Sequence, residues 1–352
     1  MLVNRNLGKW WQWLGVLLIL MILIGAVGLF YQLRTGSIWD GTRRLTIVAV
    51  TIEQGNTEAE KPSSTESEEG KGDTEIIGNT EVRILSIEPR IGGLGKQAAT
   101  VVALPDEVKM RVARGYGDYM VSALYGLAVQ EKEMNLLVDT LQNELGVAIE
   151  GYIVSNSKFE IRNPKNKEEE FNNLKNETLE WWRDRNTDSS LSWGDRWRWW
   201  WEMRKLRYDQ IEWLDFSQGN WAREEQDVDG QSMIVFDKNT IDVRLPKLMA
   251  DSKIEDEGLE MHIVNTTGIN GLSKQIARVV GSMGGRVIAV TNAQLLVDNC
   301  QLLVNLEDRK SYTLKRLKEV FGCDVMEDNL NDSRVDIEMR VGKWEGEVWL
   351  GE

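Results

Sequence analysis

The sequence predicts an N-terminal transmembrane helix followed by two mixed α/β (α+β) units. Three observations point to this. Leu14 to Tyr31 holds no charge, over a length that meets the roughly eighteen residues a helix needs to cross a bilayer core. Between Leu45 and Val154, β-branched runs interleave with runs of helical character. From Leu259 onward the order is strand–helix–strand–strand–helix–strand, which suits a small sheet with helices on one face.

Residues 1–9 form a short basic tail, read as cytoplasmic, and 10–33 form the anchor. Trp10, Trp11 and Trp13 crowd one end of the apolar run, and Phe30 and Tyr31 the other. Aromatic rings prefer the headgroup level, so both ends look belted. A core helix of a soluble protein would show a polar face. A cleaved signal peptide would have a shorter apolar region followed by small residues. Here Arg34, Thr35, Gly36, Ser37 and Ile38 lead to Trp39. Arg5 and Lys9 on one flank nearly balance Arg34, Arg43 and Arg44 on the other, so charge leans only slightly toward placing the body outside the cytoplasm.

The chain has 352 residues and a formal net charge of −14. That charge disfavours nucleic acid as a partner, because phosphate binding needs concentrated Lys and Arg. Cys300 and Cys323 are the two cysteines; one bridge and two free thiols both remain open. A single histidine, His262, leaves little room for Ser–His–Asp, Cys–His or multi-histidine metal chemistry.

The body is read as 34–243, a linker 244–258, and a compact unit 259–345. Leu45 to Glu53 is a buried strand. Residues 54–78, rich in Glu, Ser, Thr and Gly and lacking aromatics, form a flexible acidic insertion that cannot offset its ordering entropy. Val82 to Ile87 and Gln97 to Leu104 form a hairpin. Met120 to Leu145 is predicted as one helix ended by Gly146, and Ile149 to Val154 as a strand. Lys158 to Glu180 is polar, with Asn and Glu dominating, and is expected to begin as a loop. Ser189-Ser-Leu-Ser-Trp-Gly-Asp starts a helix, where a serine or aspartate can accept from the first-turn N–H groups, and the helix runs to about Tyr208. Ile211 to Phe216 and Ser232 to Phe236 are strands.

Fifteen tryptophans are many for this length, and seven fall between Trp181 and Trp201. Trp193, Trp197, Trp200 and Trp201 fall on one stripe with Arg204, and Arg196 and Arg198 lie among them. Such a face could line a lipid-chain pocket or lie at a membrane interface. The competing reading is core packing with arginines on the wet side. Trp199 falls off the stripe, so its exposure discriminates. Gly268 and Gly271 sit between a strand and a helix start, where backbone N–H groups could approach an anion; a tight turn needing positive φ is the favoured alternative.

Residues IVNTTGINGLSKQIARVV, Gly285-Arg-Val-Ile and SRVDIEMRVGKWE, spanning Leu259 to Trp344, resemble the LytR C-terminal domain. In that domain a strand ends in Asn-Gly-Thr-Gly and a Gly-Leu-Ala helix start follows; here Thr266 and Ser273 replace the first glycine and the alanine. Leu45 to Phe236 resembles the LytR-CpsA-Psr domain that accompanies it, through LTIVAVTIE, VRILSIEPRIGGLGKQAATVVALPDEV, ALYGLA and ELGVAIEGYIV. The resemblance implies a membrane-anchored protein outside the cytoplasm. Active members transfer a glycopolymer from a polyprenyl pyrophosphate carrier to the cell wall. Arginines hold the pyrophosphate, and aspartates with Mg²⁺ neutralise its charge.

This chain departs from that pattern. Leu104-Pro105-Asp106-Glu107 stands where the family reads Ile-Pro-Arg-Asp. The expected aspartate falls near Thr80, and the expected lysine and asparagine near Asp118 and Met120. Asp106 and Glu107 would repel a pyrophosphate, although Lys109, Arg111 and Arg114 lie close enough in sequence to substitute. No residue receives a catalytic role. The expectation is a non-catalytic envelope protein, anchored in the bilayer, that binds a lipid-linked glycan or a protein partner and needs no cofactor. One alternative is an active Mg²⁺-dependent phosphotransferase. Another is a membrane-tethered transcriptional regulator, against which the acidic chain and the lack of a DNA-binding module count.

Overall fold

The computed structural model describes residue 16 and residues 36–52, 80–89, 98–155, 167–184, 187–226, 232–293, 297–327, 330 and 334–350. Apart from residue 16, the predicted anchor lies outside them, as does the 54–78 insertion. Among the described residues no helix is long and apolar enough to cross a membrane.

The first unit is built on a five-stranded mixed sheet. Its strands are β1 (Leu45–Ile52), β2 (Thr80–Ile87), β3 (Ala99–Ala103), β6 (Gly151–Ser155) and β7 (Ile211–Asp215), in the order β6-β1-β2-β3-β7. β1, β2 and β3 run antiparallel in succession, and β6 and β7 pair parallel at the edges. Both faces are covered, which is why β1 reads as a nearly continuous apolar and β-branched run. Val48 and Val50 join a core with Leu124, Leu136, Leu137 and Leu141. Ile47 and Ala49 join another with Phe171, Leu174, Trp181, Trp199 and Met203.

The helices of the first core are α1 (Val121–Gln130) and α2 (Asn135–Leu145). The predicted single helix therefore breaks, and Lys132 turns the chain at a φ of 57°. Gly146 caps α2 at a φ of 64°. The stem of Arg278 would lie 3.1 Å from any Cβ there, so both backbone and space demand glycine. The helices of the second core are α3 (Lys167–Arg183) and α4 (Trp193–Lys205). The polar stretch expected to begin as a loop is helical from Lys167, and its beginning lies outside the described residues. Phe171, Leu174, Glu177, Thr178 and Trp181 make one buried stripe under a solvated surface of Glu and Asn. α4 begins in a capping box between Ser192 and Asp195.

A second, four-stranded sheet was not foreseen. It runs β5-β4-β9-β8, from β4 (Lys109–Val112), β5 (Gly117–Met120), β8 (Ala222–Gln226) and β9 (Ser232–Phe236). Only β9 was legible, because β4, β5 and β8 are short and mostly polar.

The stretch read as a linker folds into short helices that follow α5 (Lys238–Arg244): α6 (Pro246–Met249) and α7 (Ser252–Glu257). The C-terminal unit then keeps its predicted order and adds to it. It comprises β10 (Glu260–Asn265), α8 (Leu272–Ser282), β11 (Arg286–Asn292), β12 (Gln301–Val304), α9 (Tyr312–Phe321), β13 (Asp324–Glu327), β14 (Ile337–Val341) and α10 (Lys343–Leu350). The sheet order is β11-β10-β14-β12-β13. Ile337, Met339 and Val341 are buried while Glu338 and Arg340 are half-exposed, the alternation expected of a half-buried strand. Cys300 and Cys323 are joined by a disulfide. His262 lies on the more open face, 2.8 Å from the Thr291 hydroxyl through Nε2.

A buried charge network clasps the two units. Glu150 faces Arg43, and the Arg316 guanidinium reaches it at 2.6 Å. Glu150 also accepts from the Thr46 backbone N–H at 3.1 Å. Burial opposes the Arg316 charge, but Glu150 and Glu319 more than offset it and raise its pKa. Tyr312 donates to Asp251. Burial and that bond push the phenol up. Nearby, burial works against the Glu88 carboxylate, yet Arg44 and Ser252 hold its pKa below the ordinary value. On the other side Arg278 forks onto Asp242 at 2.6–3.0 Å and reaches the Asn143 and Glu144 carbonyls at the end of α2.

Candidate functional site

The tryptophan-rich helix separates its rings in the opposite sense to the simplest expectation. Trp199, the ring off the stripe, is the buried one at 1% exposure; it sits on the sheet and meets Trp39 at 5.9 Å. Trp193, Trp197 and Trp200 are half-exposed and Trp201 is 43% exposed. Trp182 from α3 inserts between them, 5.9 Å from Trp193 and stacked on Trp200 at 5.3 Å. Trp200 meets Trp201, which stacks on Trp197, both at 6.1 Å. The result is a ladder of five rings along the outer face of α3 and α4. Arg204 lies over Trp200 and Lys205 over Trp201, each at 5.6 Å. Trp182 cannot be placed on this face from sequence, because the Glu- and Asn-rich stretch before it carries no clear helical stripe.

The first turn of α4 also fixes where the chain enters the body. Asp195, fully buried, accepts from the backbone N–H of Ile38 at 3.1 Å and of Trp39 at 3.2 Å, and from the Ser37 hydroxyl. Arg198 donates to Ser37 Oγ at 2.8 Å and to the Trp39 carbonyl at 3.1 Å. The segment that follows the predicted anchor is thus pinned to the N-terminal end of the ladder.

A second surface is a groove of about 290 Å³ on the four-stranded sheet. Arg111, Lys109, Arg223 and Lys238 bring cations to it, and Asp118, Glu144 and Glu225 bring acids. Arg223 pairs with Glu225, and Lys238 with Glu144 at 3.3 Å. Met233, Val235 and Phe236 supply an apolar floor. Arg111 is exposed on β4 and lines this groove. Arg114 does not join it. At a φ of 61°, Arg114 is tied to Glu133 and, at 2.7 Å, to Asp139. The guanidiniums expected from sequence therefore do not converge. Arg223, 112 positions from Arg111 in sequence, was missed because β8 gave no strand signal.

A larger cavity of about 590 Å³ opens beyond the carboxyl ends of β1 and β6, lined by Ile52, Tyr125, Ser155, Arg183, Asp184 and Asp188. The nearby Tyr152 hydroxyl donates to Asp188 at 3.2 Å. Burial and the Asp188 charge push its pKa up to about 12. Among the described residues no group of His, Cys, Asp and Glu is arranged to hold a metal ion.

Gly268 and Gly271 take φ values of 78° and 90°. Asn265 Oδ1 accepts from the Thr267 N–H at 3.0 Å, and its amide donates to the Ile269 carbonyl at 2.7 Å. The turn is thus stitched by its own side chains, with the glycines supplying the left-handed backbone.

No family model matches the chain, and no curated protein matches its sequence. Among solved structures, a transcriptional regulator from Enterococcus faecalis is similar at 10% identity, over 58% of this chain and 86% of that one, with a TM-score of 0.37. TagU from B. subtilis is similar at 8% identity, over 56% of this chain and 92% of that one, with a TM-score of 0.31.

Proposed function

We propose that this chain is a membrane-anchored envelope protein whose body lies outside the cytoplasm and binds a lipid-linked glycan without transforming it. The observation that carries the binding reading is the groove around Arg111. Its cations and carboxylates are interleaved over an apolar floor. That mixture suits a sugar phosphate next to a greasy chain. It does not suit stabilisation of a departing pyrophosphate, which needs unopposed positive charge at the bridging oxygens. The Cys300–Cys323 bridge supports an oxidising compartment. A protein partner in the envelope is the other occupant consistent with the groove's mixed charge.

The test is equilibrium binding of a polyprenyl-pyrophosphate-linked glycan to the full chain in lipid nanodiscs, with and without Mg²⁺. Binding is expected to be independent of Mg²⁺. Arg111→Ala should weaken it about tenfold, the order expected for one charged hydrogen bond, whereas Arg114→Ala should leave affinity unchanged. No binding would remove the glycan reading and favour a protein partner. Mg²⁺-dependent release of the polyprenyl phosphate would establish the transferase instead.

A further inference from the structure

We propose that the tryptophan ladder of α3 and α4 docks flat on the headgroup layer of the same bilayer that holds the anchor. This rests on the reading of residues 10–33 as a membrane span. It adds a second contact that fixes the orientation of the body.

Chain length makes the contact obligatory in reach. Leu33, the last anchor residue, is four positions before Ser37. Fully extended, that is about 14 Å. Ser37, Ile38 and Trp39 are held to the first turn of α4 through Asp195 and Arg198. The N-terminal end of the ladder therefore cannot leave the neighbourhood of the bilayer surface while the protein is anchored.

The chemistry of the face matches what lies there. Indole rings combine a large apolar body with an N–H donor and favour the boundary between acyl chains and headgroups. A soluble surface rarely leaves so many adjacent rings half-uncovered. Lys205 and Arg204 rest on the outer rings and carry their charges at the far end of the same face. They are placed to meet lipid phosphates. Of the α4 cations, Arg204 and Lys205 lie on this face, Lys205 paired with Glu202 at 2.6 Å, whereas Arg196 is buried against the Trp181 and Asp184 carbonyls and Arg198 is tied to Ser37.

The experiment uses the full chain with Trp10→Phe, Trp11→Phe and Trp13→Phe, reconstituted in vesicles of phosphatidylethanolamine and phosphatidylglycerol brominated on the upper acyl carbons. Bromine quenches indole emission on contact, and an interfacial face buried ~5–10 Å brings the ladder to it. Emission is expected to fall by about two-fifths relative to unbrominated vesicles, the share of the body's tryptophans that the ladder supplies. Adding Trp197→Ser and Trp201→Ser should remove at least two-fifths of that fall, the share of two rings in five, with the urea midpoint kept, because neither ring is in the buried core. Flotation with the vesicles and no quenching would overturn the docking while leaving the anchor intact. Failure to float would overturn the anchor reading and the docking with it. Emission that responds to a soluble glycan fragment and not to bromine would make the ladder a sugar platform and likewise overturn the proposal.

Discussion

Arg83→Ala is expected to destabilise the protein by about 3–5 kcal/mol, the cost of leaving a buried charge without its partner. Arg83 projects from the central strand β2 and is fully buried, as is Glu177 on α3. The two form a fork, Nη2 to Oε1 at 2.7 Å and Nη1 to Oε2 at 3.1 Å, and Nη2 also donates to Thr51 Oγ1 at 2.6 Å. Burial opposes the guanidinium charge, but Glu177 and Glu81 more than offset it and hold its pKa above the ordinary value. A loss of that size is a large part of the ~5–15 kcal/mol that typically holds a domain together. Glu177→Ala should cost a similar amount. The double change Arg83→Met with Glu177→Leu should recover most of the loss, because it removes both desolvated charges and keeps the volume. Urea unfolding of the three variants separates these outcomes. If the single changes moved the midpoint no more than surface substitutions do, about ±0.5 kcal/mol, the pair would not be the bolt between sheet and helix layer described here.

Glu150→Ala should cost about 3 kcal/mol, toward the lower end of that range. Its carboxylate lies between Arg43 and Arg316, which expose only 7% and 4% of their side chains. Without it the two guanidiniums face each other across the junction of the units. Glu319 softens the loss, since it reaches Arg316 at 2.9 Å and Arg43 at 3.7 Å, but it is 35% exposed. Because the residue belongs to the first unit and Arg316 to the second, the variant should also separate the unfolding of the two. A second transition is then expected in the C-terminal unit's near-ultraviolet signal. A single unchanged transition would show that the units are held by their apolar contacts alone.

How much of this was legible follows from where each signal resides. β1, β2 and β3 announce themselves because a strand covered on both faces reads as a nearly continuous apolar and β-branched run, even though Arg83 and Ser86 interrupt it in β2. The C-terminal unit was legible because its strands are half-buried and its helices show apolar stripes at helical spacing. α3 was hidden by composition: its solvated face of Glu and Asn outweighs Phe171, Leu174 and Trp181 in any local count. The ladder was half-read. The stripe of Trp193, Trp197, Trp200 and Trp201 was visible, but its direction was not. Aromatic residues do not report which face of a helix meets the core when both faces carry them, and burial of Trp199 decides that only in three dimensions. Arg83 with Glu177, and Arg111 with Arg223, are joined across long stretches of chain. No spacing rule reaches them.

The most direct measurement of the account is protease accessibility of the body in intact, wall-stripped cells. The predicted result is digestion down to an anchor-sized fragment without lysis, with Cys300 and Cys323 still bridged in the material released. A body that survives until the membrane is broken, with both thiols free, would place it on the cytoplasmic side and contradict the account.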